Sequence, residues 1–332
     1  MNVPPADPGP ATLSGADPAG VAVPGVAVPG PADGVVAGLL ARCTFPAPGT
    51  AVRCGVSGGA DSTALLALAV ATGLRVTAVH VDHGLRPGSA SEADTVAALA
   101  RRFGAAFVAE RAVVAPGPNL EARARAARHS VLGPDALLGH TADDQAETVL
   151  LRLLRGTGPS GLAAMRPDRH PMLGLRRAQT VALCTHLGIE VFDDPTNTDP
   201  AFARNRVRHE VLPLLDDVAG RDIVPLLARL ADLAASQADL MGALSVDIDV
   251  GDARALAAAP RALATEAVRR WWRDGTRGAL GPDAAAVGRI LDVAGGRAVG
   301  CDVASGWRVR RSGGRLHLVG PPAPCRPDGL GD

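Results

Sequence analysis

The sequence predicts an α/β protein in which a doubly wound parallel sheet is followed by a smaller, mostly helical domain that ends in a hairpin. Short apolar runs alternate with helix-like segments over residues 51–154, which is typical of a parallel sheet covered by helices on both faces. After about Leu215 the apolar residues recur at helical spacing only, as in 223–244. Glycines between short apolar runs then predict a small antiparallel hairpin over 299–319.

The elements of the sheet follow from the order of apolar runs and turns. Buried apolar runs predict four strands, and the helical spacing of apolar residues between them predicts four helices. The predicted strands are 51–56, 75–81, 107–114 and 136–139. The predicted helices are 63–72, 91–103, 119–132 and 142–154, and two more lie near 262–272 and 282–293.

The composition predicts two terminal extensions and two domains. Residues 1–33 are largely Pro, Gly, Ala and Val and cannot form a periodic apolar face, so we expect a disordered extension. Residues 34–216 contain the predicted sheet, 217–320 the helical domain and 321–332 a flexible tail. No apolar run reaches the roughly 20 residues that a membrane-spanning helix needs, so the sequence predicts no membrane partner.

The composition also excludes several chemistries. All 34 basic residues are arginines, and the chain has no lysine and no tyrosine, which excludes a Walker-type phosphate loop, a Schiff-base lysine, pyridoxal phosphate and a tyrosine general acid. The 34 acidic residues balance this charge, so a nucleic-acid surface has to come from local clusters. The five cysteines form no C-x-x-C pair, which argues against structural zinc and fits a reducing cytoplasm.

The strongest short motif lies between the first predicted strand and the first predicted helix. It consists of Ser57, Gly58, Gly59, Ala60, Asp61 and Ser62. Two glycines allow successive backbone N–H groups to face an anion, and two serine hydroxyls add donors at the helix N-terminus. The motif therefore predicts a pyrophosphate cradle in which Asp61 caps the helix or holds Mg²⁺. An ordinary strand-to-helix turn with a Ser or Asp cap is the alternative.

A second cluster is acidic. His140, Asp143, Asp144 and Glu147 are spaced so that they share one face of the predicted helix 142–154. Carboxylates gathered in this way predict a cationic ligand. The alternative is that the aspartates cap the helix and Glu147 pairs with a downstream arginine on a solvated face. Asp82 follows another predicted strand, where a side chain can reach the carboxyl edge of the sheet, although a turn also explains it.

Although the chain has no net charge, it contains three local clusters of arginine. Solvated arginines explain any one cluster, but three of them favour RNA contacts. The cluster on the predicted hairpin has only Asp302 as a nearby acid, and Trp271 and Trp272 beside another cluster are interpreted as domain core. The clusters are Arg204, Arg206, Arg208 and His209; Arg269, Arg270, Arg273 and Arg277; and Arg308, Arg310, Arg311 and Arg315.

The hexapeptide Ser57–Ser62 resembles the SGGxDS signature of the PP-loop ATP pyrophosphatases, which adenylate a substrate. Three further blocks resemble the tRNA(Ile)-lysidine synthases: His80–Arg86 (HVDHGLR), His140–Gly158 and Asp194–Arg208. The stretch Asn119–Arg125 is a weaker fourth match. The resemblance covers residues 52–215 strongly and the C-terminal domain loosely. His129 and the pair Met172, Leu173 depart from the family pattern, which puts details of packing and tRNA contact in doubt.

The resemblance implies ATP and Mg²⁺ as cofactors, and free L-lysine and tRNA(Ile) with a CAU anticodon as partners. It makes 34–216 the catalytic domain and 217–320 the tRNA-binding domain of a cytoplasmic enzyme, and it leaves a homodimer as an option. It assigns Ser57–Ser62 to the ATP phosphates, Asp61 to the metal, and Asp82 and Asp144 to catalysis or substrate orientation. The expected substrate-binding residues are His140, Asp143, Glu147, Arg125, Arg204, Asn205, Arg206 and Arg208.

Two alternatives remain open. A PP-loop tRNA thiolase or an amidotransferase-type synthetase shares the hexapeptide, but this chain shows neither the cysteine pairs of a thiolase nor a glutaminase domain. A non-catalytic RNA-binding relative would keep the arginine clusters and lose the phosphate loop, whereas the loop is intact here.

Overall fold

A four-stranded parallel sheet forms the centre of the first part of the chain. The structure, a computed structural model, describes residues 30, 33–82, 89–112, 120–191, 199–276 and 281–321. The strands have the order β3-β2-β1-β4, and all neighbours are parallel. Their bounds are β1 Ala51–Gly55, β2 Arg75–Asp82, β3 Ala106–Arg111 and β4 Leu137–Leu138.

Helices cover both faces of this sheet. Apolar side chains of α1, α2, α3 and α7 form one buried cluster against β1 and β2, whereas Leu132 of α4 packs with Val79 and Leu138 in a separate cluster. The predicted doubly wound architecture is therefore confirmed. These helices are α1 Gly34–Leu40, α2 Ala60–Ala71, α3 Ser89–Arg102, α4 Leu120–Leu132, α5 Ala142–Leu154, α6 Pro159–Leu162 and α7 Arg177–His186.

The strand order reverses between β1 and β4. Chain order leads outward from β1 through β2 to β3, and β4 then returns to the other side of β1, with Gly55 opposite Leu138. In doubly wound sheets this switch point opens a crevice at the carboxyl ends of the strands, where ligands bind. The segments that leave β1 and β4 here are the loop Ser57–Gly59 and the residues Gly139–Thr141.

The described contacts separate two compact units. The first comprises the described residues up to Gln145 together with Met165–Glu210, and the second comprises Ala146–Ala164 and the residues from Val211 onward. The first unit includes the short helix α8 (Ala203–Arg206), and the second unit takes in the end of α5, the short α6 and α9 (Leu212–Ala219). The predicted domain boundary at 216 stays a prediction.

The second unit is helical and ends in a small sheet. Its core is a buried cluster that includes Leu256, Val268, Ile290 and Val309. The predicted hairpin is confirmed, and a third strand extends it to the antiparallel order β5-β6-β7. The elements are α10 Val224–Leu244, α11 Ala253–Ala258, α12 Arg261–Thr276, α13 Ala284–Ala294, β5 Gly300–Asp302, β6 Arg308–Ser312 and β7 Arg315–Val319.

Several predicted boundaries differ from the structure. Helix α2 begins at Ala60, three residues before its predicted start, and β3 ends at Arg111. The helices that were not predicted from the sequence are α1, α6, α7, α8, α9 and α11. The predicted disorder of the termini falls on 1–29 and 322–332, which lie outside the described residues. In the described ranges, no helix has both the length and the apolar character to cross a membrane.

Candidate functional site

The loop after β1 presents backbone donors at the start of α2. Gly58 has φ +86°, a conformation that favours glycine, and Gly59 is the N-cap residue. Because glycine has no side chain, the first turn of α2 has no side-chain cap. Ser57 N–H donates to Ser62 Oγ at 3.1 Å, and Ser62 Oγ donates to Gly59 O at 3.0 Å. The motif therefore forms a tight turn that leads into an uncapped helix N-terminus, which suits an anion.

Gly139 brings the end of β4 against this helix N-terminus. A Cβ atom placed on Gly139 would lie 2.6 Å from the carbonyl oxygen of Asp61 and 3.0 Å from Ser62 Cα. Only glycine fits such a close backbone approach. The residues that follow Gly139 are therefore held next to the start of α2.

Asp61 lies within the first turn of α2 and does not cap the helix, so the predicted capping role is wrong. Its carboxylate accepts a hydrogen bond from Thr180 Oγ1 at 2.5 Å and one from Arg177 Nε at 3.2 Å. Burial raises the pKa of Asp61 above its ordinary value, and the negative charge of Asp144 raises this pKa further. Arg177 and Thr180 offset only part of these two effects.

Asp144 lies at the start of α5 and is buried. Its Oδ2 accepts hydrogen bonds from Thr141 N–H at 2.9 Å and from Thr141 Oγ1 at 3.0 Å, so it also helps to cap the helix. Its Oδ1 accepts from Arg177 Nη2 at 2.7 Å and from Arg204 Nη2 at 3.1 Å, with Arg208 Nη2 at 3.9 Å.

The arginines determine the ionisation of Asp144. Burial raises the pKa of the Asp144 carboxyl, but the positive charges of Arg177 and Arg204 outweigh burial and hold this pKa well below its usual range. Asp144 is therefore ionised at neutral pH, and its charge orders the arginines around it.

Asp143 connects α5 to α7. It accepts hydrogen bonds from Arg176 Nε at 3.1 Å and from Arg176 Nη2 at 3.0 Å, a two-point contact, and from Arg177 N–H at 2.8 Å. Adjacent carboxylates of α5 thus bind adjacent arginines at the start of α7. Asp143 and Asp144 both form ion pairs with arginines, so helix capping alone does not describe their contacts.

Glu147 and His140 have surroundings that the sequence did not predict. Glu147 is fully buried, so the interpretation that it pairs with an arginine on a solvated face is wrong. His140 precedes α5, and its Nδ1 lies 2.9 Å from Nδ1 of the buried His170. One of these two nitrogens donates a proton to the other, so the contact fixes the tautomers of both rings relative to each other.

The predicted arginine group around Asn205 divides in two. Arg204 and Arg208 point to Asp144, whereas Arg206 is exposed and pairs with Glu210, with Nη2 and Oε2 3.0 Å apart. The amide of Asn205 is buried and donates from Nδ2 to Asp199 O at 2.9 Å, so this residue orders the local backbone.

Two predicted residues are only partly located. Asp82 ends β2, the neighbour of β1, so it lies at the same carboxyl edge of the sheet as the phosphate loop. Arg125 belongs to α4, but its side chain lies outside the described residues. Residue His83 also lies outside them.

Sequence reasoning missed Arg176, Arg177 and Thr180. All three lie on or next to α7 and contact carboxylates of α2 and α5 that are distant in sequence. The local sequence gives one weak signal, two adjacent arginines with a threonine one turn later. The contact itself depends on the packing of α7 against α2.

The ion pairs and buried side chains of the second unit also test the interpretation of its arginine clusters. Arg308 pairs with Asp302 at 3.1 Å, but Arg315 pairs with Asp249 at 3.3 Å, so the expectation of a single nearby acid is wrong. Trp272 is buried and packs edge-on against Trp307, with ring centroids 6.0 Å apart, which confirms its interpretation as core.

The described part of the chain contains no group of three or more His, Cys, Asp or Glu side chains arranged to hold a metal ion. Its four cysteines, Cys43, Cys54, Cys184 and Cys301, are free. Burial raises the pKa of Cys54 to about 12, so its thiol stays protonated at neutral pH.

Comparison with known proteins gives the same assignment in both parts of the chain. Residues 37–215 match the PP-loop domain, and residues 252–317 match the TilS substrate binding domain. The tRNA(Ile)-lysidine synthase of Nocardia farcinica is 45% identical over 247 residues, which cover 69% of this chain and 78% of that protein. Those of Leifsonia xyli subsp. xyli and Thermobifida fusca are also 45% identical, and each match covers 67% of this chain and 76% of the relative. Since both domain matches and relatives of 45% identity point to one family, the chain belongs to the tRNA(Ile)-lysidine synthase family.

Proposed function

We propose that the chain joins free L-lysine to the wobble cytidine of tRNA(Ile) with a CAU anticodon and cleaves ATP to AMP and pyrophosphate. The observation that carries this proposal is the meeting of the phosphate loop with the carboxylates of α5 at the switch point of the sheet. The family to which the chain belongs supports the same reaction.

The loop Ser57–Ser62 is proposed to hold the ATP phosphates. Its uncapped helix N-terminus offers N–H donors and a favourable field, and the Ser57 and Ser62 hydroxyls lie 3.3 Å apart at its start. The same donors can receive the charge that develops on pyrophosphate as it leaves.

Asp61 fits the role of a magnesium ligand. Its carboxylate is destabilised by burial and by Asp144, so a cation next to it relieves an unfavourable charge. When bound there, Mg²⁺ would neutralise part of the negative charge of the phosphates. Arg177 and Thr180 donate to the same carboxylate and hold it in a fixed orientation.

In the first step the exocyclic carbonyl oxygen of the cytosine base attacks the α phosphorus of ATP, a P–O bond forms, and the bond to pyrophosphate breaks. Arg204 and Arg208 are proposed to hold phosphate charge near this centre, with Asp144 fixing their positions. Asp144 is a poor proton acceptor because its pKa is strongly lowered, so its proposed role is orientation.

In the second step the lysine amine attacks the activated ring carbon, loses a proton and expels AMP. Asp143, Glu147 and His140 are proposed to bind lysine, since carboxylates recognise ammonium groups. The buried Glu147 is especially suited to this role because a buried carboxylate gains strongly from a cation. Asp82, at the end of β2, is proposed to orient the reacting base or accept the proton.

The second unit is proposed to select the tRNA. The match to a substrate binding domain over 252–317 supports this assignment, and exposed arginines such as Arg310 of β6 provide positive charge for the RNA backbone. Recognition of a splayed anticodon loop suits a base that must react outside a stacked helix.

Assembly and location are also proposals. Leu233, Leu240 and Leu244 of α10 are each more than half exposed, which supports a homodimer, to be tested by light scattering. The free cysteines of the described residues support a cytoplasmic location.

The function is tested by pyrophosphate release from ATP with lysine and tRNA(Ile) bearing a CAU anticodon, omitting each component in turn. We expect labelled lysine to enter that tRNA and not a methionine tRNA with the same anticodon. Alanine variants of Asp82 and Asp144 that remain folded are expected to lose turnover.

Other outcomes assign the chain differently. Release of pyrophosphate without incorporation of lysine would move the substrate to another adenylation reaction. Absence of any release would contradict the enzymatic proposal and favour an RNA-binding role.

A further inference from the structure

Arg177 contacts two carboxylates that belong to different helices. Its Nε donates to Asp61 Oδ2 at 3.2 Å, and its Nη2 donates to Asp144 Oδ1 at 2.7 Å. Asp61 lies in the first turn of α2 and Asp144 in the first turn of α5. The guanidinium group therefore joins the phosphate loop to the acidic helix.

The shape of the arginine side chain makes this bridge. A guanidinium group presents donors in a rigid plane, so Nε and Nη2 can serve two acceptors in fixed directions. A lysine ammonium group carries the same charge on a flexible stem and acts as a single point. Substitution of Arg177 by lysine therefore keeps the positive charge but removes the geometry that lets one side chain contact both carboxylates.

Helix α7 holds Arg177 in place for this contact. The backbone N–H of Arg177 donates to Asp143 Oδ2 at 2.8 Å, and Thr180, one turn later, donates to Asp61 Oδ1 at 2.5 Å. Arg177 and Thr180 therefore approach Asp61 from the same helix face.

Neither carboxylate depends on Arg177 alone. Asp144 keeps its contacts with Thr141 and Arg204, and Asp61 keeps the hydrogen bond from Thr180. Loss of the Arg177 side chain consequently leaves both acids with partners. A folded variant is expected for this reason.

We infer that Arg177 is a positioning residue that fixes the phosphate loop relative to the start of α5, and that this bridge sets the affinity for ATP. The inference rests on the proposed ATP site and adds a residue to which no role has been given. Without the bridge, Asp61 and the first turn of α2 gain freedom that ATP binding has to remove.

The test uses the full chain with R177K and R177Q. The matched control is R102K, because Arg102 donates to the carbonyls of Leu187 and Gly188 just beyond the other end of α7. The dissociation constant of a non-hydrolysable ATP analogue with Mg²⁺ is measured by calorimetry. Thermal unfolding and the KM values for ATP and tRNA are measured in parallel.

We expect R177K and R177Q to raise the dissociation constant about tenfold, as for loss of one charge-assisted hydrogen bond. The KM for ATP should rise similarly, while the KM for tRNA stays unchanged. R102K should bind the analogue as the wild type does. The unfolding temperature should change by less than about 2 °C in the Arg177 variants.

Two results would overturn the inference. Wild-type affinity in R177K would show that charge suffices without the bridge. An equal loss of affinity in R102K, with lower unfolding temperatures, would show that α7 only supports the fold. Absence of lysidine formation by the wild type would contradict the proposed function alone, because analogue binding is measured without turnover.

Discussion

Asp61 and Asp144 share Arg177, yet their surroundings shift their pKa values in opposite directions. The pKa of Asp144 is lowered, so its ionised form stabilises the fold at neutral pH, and this stability is lost as pH falls through the folded pKa. The pKa of Asp61 is raised, so its ionisation reduces stability as pH rises through the folded pKa. The ionised form of Asp144 therefore stabilises the fold, whereas the ionised form of Asp61 destabilises it, which suits the cation-binding role proposed for Asp61.

Replacing each acid by its amide tests this difference. D144N removes the anion shared by three arginines and is expected to lower the free energy of unfolding by about 2–3 kcal/mol, below the range for fully buried pairs because the arginines are partly exposed. D61N is expected to keep or raise stability at pH 7 while it weakens binding of the magnesium complex of ATP. Urea denaturation and calorimetry measure the two effects.

Comparing D61N with D144N tests whether the two pKa values are shifted in opposite directions. Equal destabilisation by D61N and D144N would contradict the opposite pKa shifts. In acid, the stability advantage of the wild type over D144N should shrink as pH falls below the ordinary pKa of aspartate, because the unfolded chain then binds a proton at Asp144 that the folded protein does not bind.

At the scale of elements, the close approach of β4 to α2 is the contact that positions the site. The backbone of Gly139 lies against Asp61 and Ser62, and no side chain fits between them. A displaced β4 also moves the start of α5, because His140 and Thr141 are the only residues between Gly139 and that helix.

G139A is expected to destabilise the protein by about 1–3 kcal/mol, because the added methyl group meets backbone atoms that have to shift. It should also weaken binding of the ATP analogue. G38A is the control, since Gly38 of α1 is exposed and has no atom near its Cβ position, and alanine there should leave or raise stability. Chemical denaturation of both variants gives the comparison, and equal stabilities would contradict the packing argument.

The elements also show what the sequence can and cannot predict. The central strands and α5 follow from apolar runs bounded by turns, and α5 was predicted to the residue, Ala142–Leu154. The start of α2 was predicted three residues late because its cap, Gly59, has no side chain to mark it. Helix α7 follows an arginine at its N-cap, a residue type that gives no start signal.

The candidate site was predictable only in part for the same physical reason. Motif residues on α2 and α5 are adjacent in sequence to the strands that position them. Arg177 meets Asp61 across 116 positions, so only tertiary packing reveals the contact. The inward turn of Arg204 and the outward turn of Arg206 likewise depend on their surroundings.

At the scale of the whole molecule, each compact unit has its own apolar core. Trp272 is among the largest fully buried side chains and belongs to the second unit, far in sequence from the phosphate loop. The two units are therefore expected to respond separately to core substitutions.

W272A is expected to destabilise the second unit by about 3–5 kcal/mol through the cavity it creates. Affinity for the ATP analogue should stay close to that of the wild type, while affinity for tRNA falls. Differential scanning calorimetry and binding titrations measure this separation. Loss of ATP-analogue binding in a protein whose first unit remains folded would contradict it.

The grouping of arginines around Asp144 has a consequence for how fast ligands arrive. Three guanidinium groups, those of Arg177, Arg204 and Arg208, converge on the single carboxylate of Asp144, so positive charge is concentrated at this point of a chain with zero net charge. A local field of this kind steers anions over distances of about one Debye length, about 10 Å at 0.1 M salt. We therefore expect encounter with a polyphosphate to be faster at low ionic strength than at high ionic strength.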